Sequence, residues 1–150
     1  MTDGLEIRSA RGGDLAAVFD LFDRWVTEGE SHGMRAPRPG DLETHLGPYF
    51  WVAAVDGDVV GFCYASPRTS EGQGAMLGEG ERYLEIDDLY VRPDHRDKGV
   101  AAALLDRVLE EAAGRGITRS LVYSASVEWQ KAIRFYERAG YRMWFVRMIR

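Results

Sequence analysis

Hydrophobic and polar residues alternate with two different periodicities along this chain, one typical of strands and one typical of helices. Short runs rich in β-branched and aromatic residues, several of them alternating, predict strands. These runs cover residues 5–8, 50–55, 59–64, 83–91, 117–123 and 141–149. Apolar residues that recur every three or four positions predict amphipathic helices. The helical stretches cover residues 15–26, 100–112 and 127–139, and a further short helix is expected at 41–46.

Turn residues predict how these elements are connected. Asp56, Gly57 and Asp58 separate two strand-like runs, which predicts a β-hairpin. Residues 28–40 are polar and are expected to form a loop, and residues 69–80, with four glycines, are expected to be a connection rather than a domain linker. Helices that alternate with strands around one sheet define an α/β (α+β layered) fold, and 150 residues suit one domain.

Composition narrows the functional classes. With 45% hydrophobic and 29% charged residues, the chain is expected to fold as a globular domain. Its 24 Asp+Glu exceed its 19 Lys+Arg, and the net charge of −5 disfavours nucleic acid as a partner, because that binding depends on neutralising phosphates. The acidic balance is compatible with a cationic substrate.

Metal and membrane partners are not expected either. Cys63 is the single cysteine, so no intrachain disulfide or cysteine-based zinc site can form. His32, His45 and His95 have no metal-ligand spacing, and His95 is expected to be a solvated loop residue. The longest apolar runs are too short for a bilayer, and residues 1–6 do not resemble a signal peptide. We therefore expect a cytoplasmic protein without a metal cofactor.

The turn at residues 96–101 carries the strongest chemical signal. It leads from a strand-like run into a helix, whose first backbone N–H groups have no internal partner and favour an anion. Gly99 lets the backbone approach a ligand closely, and Ala101 keeps the next turn narrow. A Walker loop would need Ser or Thr after Lys98, and a dinucleotide fingerprint would need three glycines. The turn therefore predicts a diphosphate-bearing cofactor outside these two classes.

Two motifs resemble signatures of the GNAT superfamily of N-acetyltransferases. The turn from Arg96 to Ala101 matches Arg/Gln-x-x-Gly-x-Gly/Ala, the acyl-CoA pyrophosphate loop of that family. Further along, the run from Ala132 to Tyr141 resembles Ala-x-x-Phe/Leu-Tyr-Glu-x-x-Gly-Phe/Tyr. The resemblance implies a single acyl-CoA-dependent N-acetyltransferase domain over residues 1–150, with acetyl-CoA as cosubstrate. It also implies a mixed, strongly twisted sheet of about six to seven strands, with helices on both faces and strands four and five splayed.

The functional positions of the family can be carried over onto this sequence. Leu89 and Val91 take the positions whose backbone groups pair with the pantetheine arm. The pyrophosphate loop, which acts mostly through backbone N–H groups, corresponds to Arg96, Asp97, Lys98, Gly99, Val100 and Ala101. Tyr136 takes the position of the general acid in many members, although its helical spacing also fits a core residue. Trp129 stands where the family often has an Asn that helps to hold pantetheine.

Three carboxylates on the strand before the turn are candidates for the general base, namely Glu85, Asp87 and Asp88. Simple alternation places Glu85 and Asp87 on one face of the strand and Asp88 on the other. The run at residues 86–91 resembles the spermidine/spermine N-acetyltransferase group, in which a carboxylate at the position of Asp87 lies near the acceptor amine. This resemblance favours Asp87 as the base, and a solvated or structurally paired acidic face is the alternative.

The expected activity is transfer of an acetyl group from acetyl-CoA to a primary amine by direct attack in a ternary complex. The acceptor is expected to be a small cationic amine or an exposed amino group of a protein, with Glu28 and Glu30 near its cleft. The alternative is a non-catalytic acyl-CoA-binding regulatory domain of the same fold, and the Trp129 departure favours it. Members of the family often dimerise, so a homodimer is compatible with the resemblance.

Overall fold

A mixed sheet with helices on both faces forms the framework of the protein. The computed structural model describes residues 4–72 and 76–150, so residues 1–3, and residues 73–75 of the connection predicted at 69–80, lie outside the described part. The elements in this part are β1 (Leu5–Ser9), α1 (Leu15–Glu28), β2 (Phe50–Val55), β3 (Asp58–Thr69), β4 (Arg82–Val91), α2 (Val100–Gly114), β5 (Ser120–Val122) and α3 (Trp129–Arg138). Single turns of 3-10 helix occupy Gly12–Asp14, Leu42–His45 and Pro93–His95.

The strands lie in the order β1-β2-β3-β4-β5. The first four pair antiparallel, and β5 pairs parallel to β4. One apolar cluster joins α2 to one face of the sheet through side chains such as Leu104 and Val108, which are fully buried. A second cluster joins α1 to the other face through Val18 and Phe22. The predicted α/β class, with a mixed sheet and helices on both faces, is therefore confirmed.

Strands β4 and β5 separate after a short contact. Only Leu84, Glu85 and Ile86 of β4 pair with β5, opposite Ser120–Val122. Residues 87–91 of β4 continue alongside β3 alone. The predicted splay between the fourth and fifth strands is confirmed, and it leaves an opening in the sheet beside the second half of β4.

A β-bulge lies in β4 where the opening begins. Tyr64 of β3 pairs with Asp88, whereas Ala65 pairs with Ile86, so Asp87 is the extra residue on β4. As a result Ile86 and Leu89, three positions apart, both contact the apolar cluster under α2. The expectation that Asp87 and Asp88 lie on opposite faces is wrong, because alternation does not hold across a bulge.

The strand expected at residues 141–149 is absent. Residues 141–150 form neither helix nor strand, and the described part of the sheet has five strands rather than six to seven. Strand β5 has a partner over three residues only, and no described strand pairs with the segment that follows α3. Large apolar side chains of this segment are exposed, among them Met143, Phe145, Val146, Met148 and Ile149. A strand-like pattern forms a strand only where a neighbour can satisfy its backbone groups.

Candidate active site

A cavity of about 1010 Å³ passes through the opening between β4 and β5. On the α1 face its wall includes Trp25 and Met34, and on the α2 face it includes Val100 and Tyr136. The carboxylates of Asp87 and Asp88 lie between these two halves, at the bulge. The cavity therefore joins the two faces of the sheet. The hydrophobic pattern of the sequence does not indicate this connection.

The turn before α2 presents backbone N–H groups to this cavity. Helix α2 begins at Val100, after Gly99 in the left-handed region with φ of 79°, and no side chain caps its first turn. Asp97 is also left-handed, with φ of 60°. Such residues are uncommon outside glycine and occur often at binding sites. The uncapped N-terminus suits an anion such as a pyrophosphate.

The residues predicted for the pyrophosphate loop do not all reach the cavity. Asp97, Gly99, Val100 and Ala101 line it. Lys98 is not among the lining residues, and its ammonium group donates to the Asp94 carbonyl at 3.2 Å. The exposed side chain of Lys98 thus closes the turn locally.

Arg96 connects the turn to the end of α1 through its side chain. Its guanidinium donates to Glu28 at 2.7 Å and to Glu30 at 3.2 Å, and it lies over the Tyr90 ring at 5.3 Å. The Tyr90 hydroxyl donates to Glu28 as well. The backbone N–H of Arg96 donates within the preceding turn, to Pro93. Because both glutamates already share the Arg96 guanidinium as a partner, Glu28 and Glu30 are not the free acceptor-side carboxylates that the sequence suggested.

The two strand residues expected to face pantetheine lie at the opening. Leu89 pairs with Cys63 and Val91 with Gly61, both on the β3 side, and neither has a partner in β5. The Val91 carbonyl accepts a hydrogen bond of 2.7 Å from Arg96 Nε. This stretch of β4 is therefore a strand edge inside the cavity, to which an extended ligand can add.

Asp87 and Asp88 form an acidic pair on the α1 face. Tyr64 donates its hydroxyl to Asp88 at 2.5 Å, and Ser66 donates to Asp87 at 2.5 Å. Burial raises the pKa of Asp88 to about 6, against the lowering effect of the Tyr64 hydrogen bond, and the Asp87 charge adds to the rise. Burial also raises the pKa of Asp87, against the Ser66 hydrogen bond. A carboxylate with a raised pKa is a better proton acceptor at neutral pH.

Glu85, the third candidate base, belongs to a different environment. Its carboxylate pairs with Arg68 at 2.5 Å, and it does not line the cavity. The sequence alone could not separate it from its neighbours, because all three carboxylates lie within four positions of the same strand. Tyr64 is a site residue that sequence reasoning missed, since only the register between β3 and β4 places it opposite Asp88.

Tyr136 lies on α3 and lines the cavity on the α2 face. Its ring packs edge-on against Phe135 at 5.0 Å and Tyr141 at 5.5 Å. Its hydroxyl makes no hydrogen bond to any described residue, whereas that of Tyr141 is within 2.6 Å of Ser120 Oγ. Burial raises the pKa of Tyr136, so the phenol stays protonated and can donate. Trp129, at the start of the same helix, is exposed and does not line the cavity.

Two loops meet across the cavity. The loop after α1 and the segment between β5 and α3 form an isolated antiparallel bridge. The His32 N–H donates to the Ala125 carbonyl at 2.8 Å, and the Val127 N–H donates to the Glu30 carbonyl at 2.9 Å. Both segments line the cavity. The hydrogen bonds between residues 30–32 and residues 125–127 form a backbone strap that connects the α1 half of the cavity to the α2 half.

The structure also places the single cysteine and His95, the histidine next to the turn. Cys63 is fully buried in the apolar cluster, as expected for a core residue. His95 lines the cavity with a side chain only 16% exposed, so the expectation of a solvated loop residue is wrong. Within residues 4–72 and 76–150, no cluster of His, Cys, Asp or Glu could hold a metal ion. None of the described helices is long and apolar enough to cross a membrane.

The fold and the cavity together define an α/β protein in which the uncapped start of a helix lies beside a split sheet. A family model described as the Acetyltransferase (GNAT) family matches residues 15–141. The chain belongs to this family. The resemblance of its two motifs is thereby confirmed.

Individual relatives agree with this assignment. Phosphinothricin N-acetyltransferase of Streptomyces viridochromogenes is 27% identical over 143 residues, which are 91% of this chain and 74% of that protein. An uncharacterized N-acetyltransferase of Methanocaldococcus jannaschii is 33% identical over 92 residues, which are 61% of this chain but only 38% of that protein. A predicted acetyltransferase of Clostridium acetobutylicum, solved with acetyl-CoA, has a TM-score of 0.71 at 17% identity and covers 97% of this chain and 96% of that one. This last likeness supports the fold.

The raised pKa of Asp88 predicts a measurable cost in stability. A carboxyl whose pKa is higher in the folded state than in the unfolded state loses stability as pH rises through the folded value, here about 6. Asp88→Asn, which keeps an acceptor for Tyr64, should therefore raise the free energy of unfolding by about 1–3 kcal/mol at pH 8. At pH 4 the gain should be much smaller.

Thermal unfolding of both proteins between pH 4 and 8 measures this difference. Asp20→Asn, which removes an exposed carboxylate of α1, is the matched control for the loss of one charge. If the gain in the free energy of unfolding for Asp88→Asn did not grow with pH, this result would contradict the raised pKa of Asp88.

Proposed function

We propose that this protein transfers an acetyl group from acetyl-CoA to a primary amine by direct attack within a ternary complex. The observation that carries the proposal is the single cavity that joins the uncapped N-terminus of α2 to the Asp87–Asp88 pair through the split sheet. The α2 half suits the cofactor, and the α1 half suits the amine. Family membership and acetyl-CoA in a structural neighbour support acetyl-CoA as the cosubstrate.

The residues that would hold acetyl-CoA lie at the start of α2 and along the open edge of β4. The turn residues Asp97, Gly99, Val100 and Ala101 would hold the pyrophosphate at the start of α2. Leu89 and Val91 would hold the pantetheine arm along the free edge of β4. Arg96 would act through Glu28 and the Val91 carbonyl, by fixing the turn against α1. Bound acetyl-CoA supplies the thioester carbonyl, to which the amine nitrogen bonds as the C–S bond breaks.

Proton transfers are assigned to groups on both sides of the opening. An alkylammonium ion has a pKa of about 10 and must lose a proton before it can attack. Asp87 is proposed to take that proton, with Asp88 beside it as the alternative base. Tyr136 is proposed to give its hydroxyl proton to the leaving sulfur and to regain it from solvent. An ordinary phenol and an ordinary thiol differ by about 1.5 pKa units, which makes this transfer uphill by about 2 kcal/mol. Burial raises the pKa of Tyr136, so the cost at this site is higher than for an ordinary phenol.

The first test concerns the turn and the class of activity. Acetyl-CoA should raise the melting temperature by binding to the native state, and thiol should be released in the presence of amines. Gly99→Val should abolish the shift, because a β-branched residue is strained at φ of 79° and would change the backbone that presents the first N–H groups of α2. Gly114→Val, the same change at the other end of α2, where φ is not positive and space is open, should keep the shift.

The outcomes of this test distinguish an acetyltransferase from a non-catalytic acyl-CoA-binding domain. A shift that survives in Gly99→Val would contradict the assignment of the turn. A normal shift without thiol release for any amine would favour a non-catalytic acyl-CoA-binding domain. Stabilisation and turnover together support the enzyme.

The second test concerns Tyr136. Tyr136→Phe removes only the hydroxyl, so the edge-on packing with Phe135 and Tyr141 should survive. We expect kcat to fall by about 10²-fold, the scale of a positioned general acid, with little change in the acetyl-CoA shift. Tyr141→Phe is the control, because its hydroxyl meets Ser120 outside the cavity, and it should keep kcat. Normal turnover of Tyr136→Phe would leave Tyr136 as a core residue.

The third test concerns the base. Burial raises the pKa of both carboxyl groups of the acidic pair, so the kcat/KM for the amine should rise with pH as this pair ionises, and further as free amine becomes available. Asp87→Asn should lower this kcat/KM by about 10²-fold and should spare the acetyl-CoA shift. Glu85→Gln changes the neighbouring carboxylate that pairs with Arg68, and it should have normal kinetics. Normal kinetics of Asp87→Asn would transfer the role of base to Asp88 or to water.

A further inference from the structure

We infer that the acceptor is a monoamine whose single positive charge is attached to an apolar body, rather than a polyamine or an amino acid. This inference rests on the proposed function and concerns the α1 half of the same cavity. It rests on two properties of that half, namely the apolar residues in its wall and the small number of carboxylates there that lack a salt bridge.

Part of the wall beyond the acidic pair is apolar and largely aromatic. This apolar part comprises Phe22, Trp25, Met34, Pro37, Tyr64 and Tyr90, and the polar residues Ser31, His32 and Arg35 of the loop after α1 line the cavity beside it. The rings are already ordered against one another: Trp25 stacks on Tyr90 at 5.0 Å and on Phe22 at 5.9 Å. Stacked rings offer a preformed surface to a planar or aliphatic group, with little ordering cost on binding.

Few negative charges on this face remain for a ligand. Asp87 and Asp88 make hydrogen bonds with hydroxyl groups but have no salt bridge to any described residue. Glu28 and Glu30 are paired with Arg96 instead. The other lining carboxylates, Asp97 and Glu128, belong to the cofactor turn and to the start of α3, on the side of the α2 face.

The acidic pair can therefore receive one ammonium group, whereas the glutamates further out already share Arg96 as a partner. Arg35 also lines the cavity, and it would repel an additional cation. A second ammonium placed against the aromatic wall would lose water without gaining a carboxylate. A carboxylate on the carbon that bears the amine would lie close to the acidic pair and would be repelled by it. An apolar body meets none of these penalties.

An acceptor panel tests this inference, with 2-phenylethylamine, hexylamine, putrescine, spermidine, lysine and glutamate as probes and thiol release as the readout. The kcat/KM for 2-phenylethylamine should exceed that for putrescine and spermidine by at least about tenfold, and hexylamine should also exceed them. Both amino acids should be poorer still.

A charge placed in the wall gives a second test. Met34→Glu puts a carboxylate among the aromatic residues, and it should lower the preference for 2-phenylethylamine over putrescine by about tenfold. Met148→Glu adds the same charge at a position that is 89% exposed and outside the cavity, and the preference should stay unchanged. Thermal unfolding of both variants shows whether each is folded.

Each outcome has a separate meaning. Best turnover of a polyamine or an amino acid would overturn the inference and leave the proposed function standing, as would an unchanged preference in folded Met34→Glu. Absence of turnover with every amine would overturn the proposed function and this inference with it. A preference for monoamines that shifts in Met34→Glu alone supports both.

Discussion

Strand β4 has a partner along its whole length on one side and along only three residues on the other, and the site depends on this difference. A strand edge inside a sheet leaves backbone donors and acceptors that water or a ligand must satisfy. Here that edge faces the cavity that runs between α1 and α2. The same geometry thus creates the opening and supplies the groups that an extended cofactor can use.

The bulge at Asp87 gives the opening its chemistry. Because the extra residue sets two consecutive carboxylates on one face, the hydroxyls of Tyr64 and Ser66 can each hold one of them. Their burial costs stability, as the raised pKa of Asp88 shows, and such a cost is typical of groups retained for function. A regular strand would have placed one of the two carboxylates in the apolar cluster under α2.

Charge pairing couples the two halves of the site. Arg96 belongs to the turn that faces the cofactor half, yet its guanidinium is held by two glutamates at and after the end of α1. The backbone strap between residues 30–32 and 125–127 makes a second link across the cavity. These contacts connect the turn before α2 to the end of α1. Asp87 and Asp88 have no salt bridge to any described residue, and in the proposed function they would receive the amino group of the acceptor.

The sequence by itself determined the features that depend on local pattern. Periodicity and turn residues place α1, α2, α3 and β4, and the motif at Arg96–Ala101 identifies the family, because a helix start after Gly99 needs only neighbouring residues. Long-range pairing decided the rest. The bulge, the partner of Asp88 and the ion pair of Glu28 depend on residues far apart in the chain, such as Tyr64 and Arg96. The segment at 141–149 has the residue pattern of a strand but does not form one. The pattern is a property of one chain segment, whereas a strand also needs a second segment as its hydrogen-bonding partner.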